Sequence, residues 1–191
     1  TMKLLMFITL PTMLSLILVA EEGFRFVFGE KWLPAVPYFQ ILALASIVRP
    51  VSTYNLNILK VKGRSDIFLQ VEVIKKIVGL VFLIAGLFFG VMGLAISLVS
   101  FSIISYIINM IFSGKLINYS VSKQLKDTLI MLLIGAFLYT ALYIIKIHFQ
   151  IHIKSDLMLI ILFDSTLFIL FVCLSLFFDK ELKNIIWNLK S

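Results

Sequence analysis

The sequence holds one cysteine, Cys173, so no disulfide can close within the chain and no multi-cysteine metal centre can form. It holds two histidines, His148 and His152, at an i, i+4 spacing. That spacing could bind a metal on a helix, but no cysteine or carboxylate cluster accompanies it, so no metal site is expected. A Gly-rich phosphate loop, a Gly-x-Ser-x-Gly turn and a zinc-type histidine cluster are all missing. No nucleophile, base or metal constellation emerges, so an enzyme is not expected and neither is a cofactor. Charge is scarce as well: 14% of residues are charged, against about 25% in soluble globular domains.

Apolar residues are abundant instead, at 61%. Several runs carry about 20 mainly apolar residues, enough to cross a hydrocarbon core of roughly 30 Å. Such runs read as helices, because lipid offers no partner for an open backbone. The runs do not alternate as the strands of a membrane barrel would. The fold class expected is therefore all-α, a polytopic bundle of six transmembrane helices, at residues 4–20, 35–59, 67–89, 92–112, 128–147 and 157–178. The third and fourth are joined by Gly90-Val91-Met92-Gly93, where glycine permits a tight reversal.

The formal net charge is +7. The basic residues lie mostly between apolar runs, where they meet headgroups and set topology, so nucleic acid is not an expected partner and membrane lipids are. One side collects Lys3, Lys60, Lys62, Arg64, Lys115, Lys123, Lys126, Lys180, Lys183 and Lys190. The other collects Arg25, Lys31, Lys146 and Lys154. The richer side is expected to be cytoplasmic, with the C-terminus inside. Residues 179–191 are too polar to cross and read as a cytoplasmic amphipathic tail carrying Trp187.

Three basic residues, Arg49, Lys75 and Lys76, remain within spans. Ionisable groups there face protein or water rather than lipid. On the second span Arg49, Thr53 and Asn57 share a polar stripe with Ser46 and Lys60. Pro50 is expected to kink that span beside Arg49. On the third span Glu72, Lys75, Lys76, Gly79, Gly86 and Gly90 share one face, charged at one end and glycine at the other. Glu72 can neutralise one of the lysines. The fourth span adds Ser102, Ser105, Tyr106, Asn109 and Ser113 in one sector, as helix glue or as a sugar-coating surface. Three polar sectors predict one hydrated cavity for a ligand bearing negative charge and hydroxyls. The candidate substrate-binding residues are Arg49, Thr53, Asn57, Lys75, Lys76 and Asn109.

Pro11, then Phe28-Gly29-Glu30-Lys31-Trp32, Ala35, Gln40-Ile41-Leu42 and Leu56-Asn57-Ile58-Leu59-Lys60-Val61-Lys62-Gly63-Arg64-Ser65-Asp66 follow in a fixed order, and "SGKLINYSVSKQLKD" precedes the last two spans. In order and spacing these stretches resemble the C-terminal portion of the bacterial polysaccharide flippases (O-antigen, capsule and exopolysaccharide type) of the multidrug/oligosaccharidyl-lipid/polysaccharide exporter superfamily. The resemblance implies about fourteen helices in two lobes that rock around a central cavity. This chain would supply the last six: residues 1–126 as four helices of the C-terminal lobe, 127–178 as the terminal helix pair, and 179–191 as the tail. It implies a multi-pass protein of the bacterial inner membrane that moves an undecaprenyl-diphosphate-linked oligosaccharide between leaflets. The implied partners are that lipid-linked oligosaccharide, the missing N-terminal lobe and a polysaccharide polymerase. A cation or drug antiporter, or a peptidoglycan-precursor flippase of the same fold, is the alternative. An antiporter for organic cations should carry an acidic cavity, whereas the excess here is basic. Gly29-Glu30-Lys31-Trp32 is expected to be a corner rather than a site.

Overall fold

The structure is a computed structural model and describes residues 2–149, 155–178 and Lys183. His152, Lys154 and the tail, apart from Lys183, lie outside the described residues. Among the described residues eight α-helices follow in order: α1 Met2–Leu18, α2 Ala20–Phe28, α3 Val36–Ile47, α4 Arg49–Val61, α5 Ser65–Leu87, α6 Gly90–Leu116, α7 Val121–Phe149 and α8 Asp156–Phe178. A 3-10 turn, Glu30–Ala35, links α2 to α3, and no strand occurs among the described residues. The corner expected at Gly29 is this turn, entered through Gly29 at φ +84°, a left-handed backbone that glycine tolerates.

Among the described residues four segments are long and apolar enough to cross a membrane: Glu30–Val61, Gly90–Leu116, Val121–His148 and Asp156–Phe177. A fifth arises if α1 and α2, bent by 67° from one another, form one broken span. The bend falls at Val19 and not at Pro11, which α1 carries inside it. Beside Pro50 the helix is interrupted by a bend: α3 stops at Ile47, Val48 intervenes, and Pro50 sits in the first turn of α4. That position tolerates proline because its missing N–H would have no helical partner. The remaining long helix, α5, has 23 residues but carries Asp66, Glu72, Lys75 and Lys76. Long apolar side chains are exposed along α6–α8, among them Ile96, Leu98, Leu133, Phe137, Ile161 and Ile169. Together with the apolar helix lengths, that exposure marks lipid-facing surface of a multi-pass membrane protein.

The chain gathers into two compact units. One comprises Lys3–Gln40 with the chain from Leu129 onward. Its buried side chains come from α1 (Met6, Leu10, Leu14, Ile17), α7 (Met131, Leu138, Leu142) and α8 (Leu159, Phe163, Leu167, Phe171). The α8 set recurs every fourth residue, one ridge of an α-helix. Phe171 meets Phe7 with ring centroids 6.1 Å apart. Gly135 lets α7 come close to α1, since a Cβ there would lie 2.8 Å from Leu14 Cδ1. Between membrane helices such packing is held by van der Waals contact, because lipid tails are as apolar as the side chains.

The second unit comprises Ile41–Thr128. Here α5 and α6 form the expected hairpin, reversing through Gly90 at φ +69°. Near the reversal the two helices touch at their small residues. A Cβ on Gly86 would lie 2.7 Å from Ser97 Oγ and 3.0 Å from the Gly93 carbonyl oxygen. Farther along, Gly79 lies against Phe101, at 3.1 Å from the same construction. Beyond Gly79 the face of α5 changes from glycine to Lys76, Lys75 and Glu72. Bulkier side chains no longer allow that close approach, and a cavity opens there.

Candidate ligand cavity

The cavity measures about 300 Å³ and is built by α4, α5 and α6, near the lower end of small-ligand sites, roughly 300–1,000 Å³. The α4 wall is Arg49, Ser52, Thr53 and Leu56. The α5 wall is Glu72, Lys75, Lys76 and Gly79, and the α6 wall is Phe101, Ser102, Ser105 and Asn109. Five of the six sequence candidates, Arg49, Thr53, Lys75, Lys76 and Asn109, therefore line one space. Asn57 does not. At 100° per residue Asn57 points about 80° away from Arg49, while Ser52 and Leu56 lie on the other side of Arg49. The cavity is centred towards Ser52, which leaves Asn57 exposed outside it.

The charges on this wall are unequal in number. Lys75 is nearly buried and pairs with Glu72 one turn before it, whose side chain is 32% exposed. Arg49 and Lys76 are exposed and make no hydrogen bond or ion pair among the described residues. Three cations against one carboxylate leave two positive charges. Arginine offers a planar fork suited to phosphate oxygens, and lysine a mobile point charge.

Asn109 is also structural. Its Nδ2 donates to the Ser52 carbonyl oxygen at 3.0 Å and to Ser52 Oγ at 2.8 Å, tying α6 to α4. Among the described residues its Oδ1 is buried without a hydrogen-bond partner, leaving one acceptor unmatched at the cavity wall. A second rung lies one turn along. Ser113 Oγ donates to Asn55 Oδ1 at 3.0 Å, and Asn55 Nδ2 donates to Gln124 Oε1 at 3.1 Å. Gln124 in turn donates to the Tyr119 carbonyl oxygen at 2.9 Å. Sequence reasoning placed the polar stripe of α4 on Arg49, Thr53 and Asn57 and missed this second stripe, Ser52 and Asn55. The i, i+3 spacing of those two, matched by Asn109 and Ser113 at i, i+4, was the available signal.

At the α4–α5 connector, Gly63 turns the chain at φ +69° and Arg64 binds Asp66 at 2.9 Å. The guanidinium's hydrogen bonds hold the Asp66 carboxyl down at about 2. Just before the connector, the Lys60 ammonium lies 4.3 Å from the centre of the Phe68 ring.

The other unit contains an ion pair that the sequence did not reveal. Lys146, counted above among the connector cations, is instead buried within α7. Its Nζ donates to Glu22 Oε2 at 2.7 Å and to the carbonyl oxygen of Leu18, the last residue of α1. The Lys146 side chain is 7% exposed and that of Glu22 is 0%. Nearby on α2, Arg25 bridges Glu21 at 2.7 Å and Asp156 of α8 at 3.2 Å.

Three curated proteins share partial similarity with this chain. The teichuronic acid biosynthesis protein TuaB of Bacillus subtilis (strain 168) is 38% identical over 65 residues, 34% of this chain and 14% of that protein. An uncharacterized membrane protein in the cps region of Klebsiella pneumoniae is 32% identical over 72 residues, 38% of this chain and 15% of its own length. The lipopolysaccharide biosynthesis protein WzxC of Escherichia coli (strain K12) is 29% identical over 103 residues, 53% of this chain and 21% of WzxC. The chain thus spans about a fifth or less of the length of these relatives. No family profile matches the chain, and no solved structure matches it.

Proposed function

We propose that this chain is the C-terminal portion of a membrane transporter that carries an undecaprenyl-diphosphate-linked oligosaccharide from the inner to the outer leaflet of the bacterial inner membrane, for surface polysaccharide synthesis. The observation that carries this reading is the cavity of α4–α6, with its surplus of two positive charges against a wall of serine, threonine and asparagine. Such a wall suits a diphosphate followed by hydroxylated sugars. A membrane-embedded cation lowers the cost of bringing a phosphate into a low dielectric. The names of the relatives, which refer to teichuronic acid biosynthesis, to a cps region and to lipopolysaccharide biosynthesis, support the same substrate class. A surplus of cations also disfavours an exporter of organic cations.

In this reading α5 is the sixth span, its charged half facing the cavity while its exposed apolar side chains meet lipid. The protein works without a cofactor and as a carrier, not an enzyme. A preceding lobe supplies the facing wall, residues 127–178 form the terminal pair, and both ends of this chain are cytoplasmic. Arg49 grips the diphosphate, and Thr53 and Asn109 meet the first sugar.

The test is the replacement of Arg49 in the complete protein, in cells whose surface polysaccharide depends on it. Arg49→Ala abolishes surface polysaccharide while the protein stays in the membrane. Arg49→Lys retains charge without the fork and gives an intermediate level. Normal polysaccharide in Arg49→Ala cells would refute the assignment.

A further inference from the structure

Resting on the reading of the α4–α6 cavity as an anion site, we infer that Glu72 is a specificity residue that sets the charge of the accepted ligand at two, the charge of a diphosphate diester. The lining brings Arg49, Lys75 and Lys76 together with one carboxylate. Glu72 reaches Lys75 from the same helix, one turn away, and remains part-exposed while Lys75 is almost covered. The pair leaves Arg49 and Lys76, neither of which has an ion-pair partner among the described residues.

The charge balance of the loaded cavity then discriminates between ligands. A phosphodiester with one negative charge leaves a surplus cation in the membrane. A diphosphate monoester with three leaves a surplus anion. A diphosphate esterified at both ends carries two charges and neutralises the α4–α6 wall. Neutrality is favoured twice over: an uncompensated charge is costly in low dielectric, and moving net charge across a polarised membrane costs work in proportion to that charge. Glu72 therefore does more than anchor Lys75. Without it the same wall would carry three positive charges and would select a more highly charged ligand.

The experiment measures binding to the complete protein in nanodiscs of neutral lipid with three soluble probes: dimethyl phosphate, P1,P2-dimethyl diphosphate and methyl diphosphate, bearing one, two and three charges near pH 8. The complete wild-type protein binds the two-charge probe most tightly. Glu72→Gln moves the preference to the three-charge probe, tightening it by about tenfold, as expected for gaining one uncompensated cation in a partly desolvated site. Lys75→Met moves it to the one-charge probe. The double variant, Glu72→Gln with Lys75→Met, restores two surplus charges and with them the wild-type ranking, which guards against a single variant that merely misfolds. An unchanged ranking in Glu72→Gln, or a double variant that ranks like Glu72→Gln, overturns the charge-matching role and leaves the transporter reading standing. Failure of the complete wild-type protein to bind any of the probes overturns the anion site itself, and both readings with it. A second arm dopes the nanodiscs with CDP-diacylglycerol, a lipid whose headgroup is a diphosphate diester. Its competition with the soluble probe assigns the ligand to the membrane, whereas no competition overturns a membrane-borne source.

Discussion

Lys75 and Lys146 are both buried lysines on long helices, and each is paired with a glutamate. Their settings differ in every other respect. Lys146 meets Glu22 from another helix, 124 residues away, with both side chains under a tenth exposed. It also caps the carbonyl of Leu18 where α1 ends, a place where positive charge is favoured. Lys75 meets a glutamate on its own helix, and that partner stays part-exposed in a cavity with two further cations. The first pair is balanced and closed, which suits holding helices at a bend. The second is one part of an unbalanced, open set, which suits a ligand. A buried charge inside a membrane protein therefore marks function only when its surroundings leave charge over.

That contrast is breakable. The largest effect is expected from Lys146→Met, which removes the ammonium that pairs with the buried carboxylate of Glu22. Breaking a buried pair from one side costs about 3–5 kcal/mol, to be read as loss of folded protein in a thermal-aggregation assay in detergent. Adding Glu22→Leu should recover much of that loss. If the single variant is as stable as the parent, the closed pair is not structural. Gly86→Ala should come next. Its Cβ would meet Ser97 Oγ and the Gly93 carbonyl, and forcing α5 from α6 costs about 1–3 kcal/mol. Asn55→Leu removes the centre of the polar rung between α4, α6 and α7. Hydrogen bonds between membrane helices average about 0.6 kcal/mol each, so roughly 1 kcal/mol is expected in the same assay. Glu72→Gln should change stability by under about 1 kcal/mol, as same-helix pairs near solvent do, while altering anion binding. A loss comparable to that of Lys146→Met would make the two pairs alike.

The smallest effect concerns Asp66. Its carboxyl is held at about 2, below the ordinary 3.8. A depressed carboxylate contributes fully above its unfolded value and loses that contribution as pH falls towards its folded one. Apparent melting temperature should therefore be flat in this respect above pH 4 and decline between about 4 and 2. The decline attributable to this group should vanish in Asp66→Asn. The pair is exposed, so the effect is slight.

Much was legible before the fold was known. Run length and lipid's demand for satisfied backbone groups fixed the class as helical. Gly90 gave the hairpin, and periodicity gave the split face of α5, glycine at one end and charge at the other. Arg49, Thr53, Lys75, Lys76 and Asn109 could be gathered because each sat on a polar sector. A 3.6-residue repeat says which residues share a face of one helix, but not the direction in which that face is turned. On α4 that rotation was decided only by packing: Ser52 faces the cavity and bonds Asn109, Asn55 turns to Ser113 and Gln124, and Asn57 is left outside. The partner of Lys146 was illegible for a related reason. Nothing local to α7 refers to α2, and only the tertiary structure brings the two side chains within 2.7 Å. The sequence by itself determined which segments are helices and which helices carry charge. The tertiary structure decided which of those charges cancel and which remain, because cancellation depends on distances between helices that no local pattern encodes.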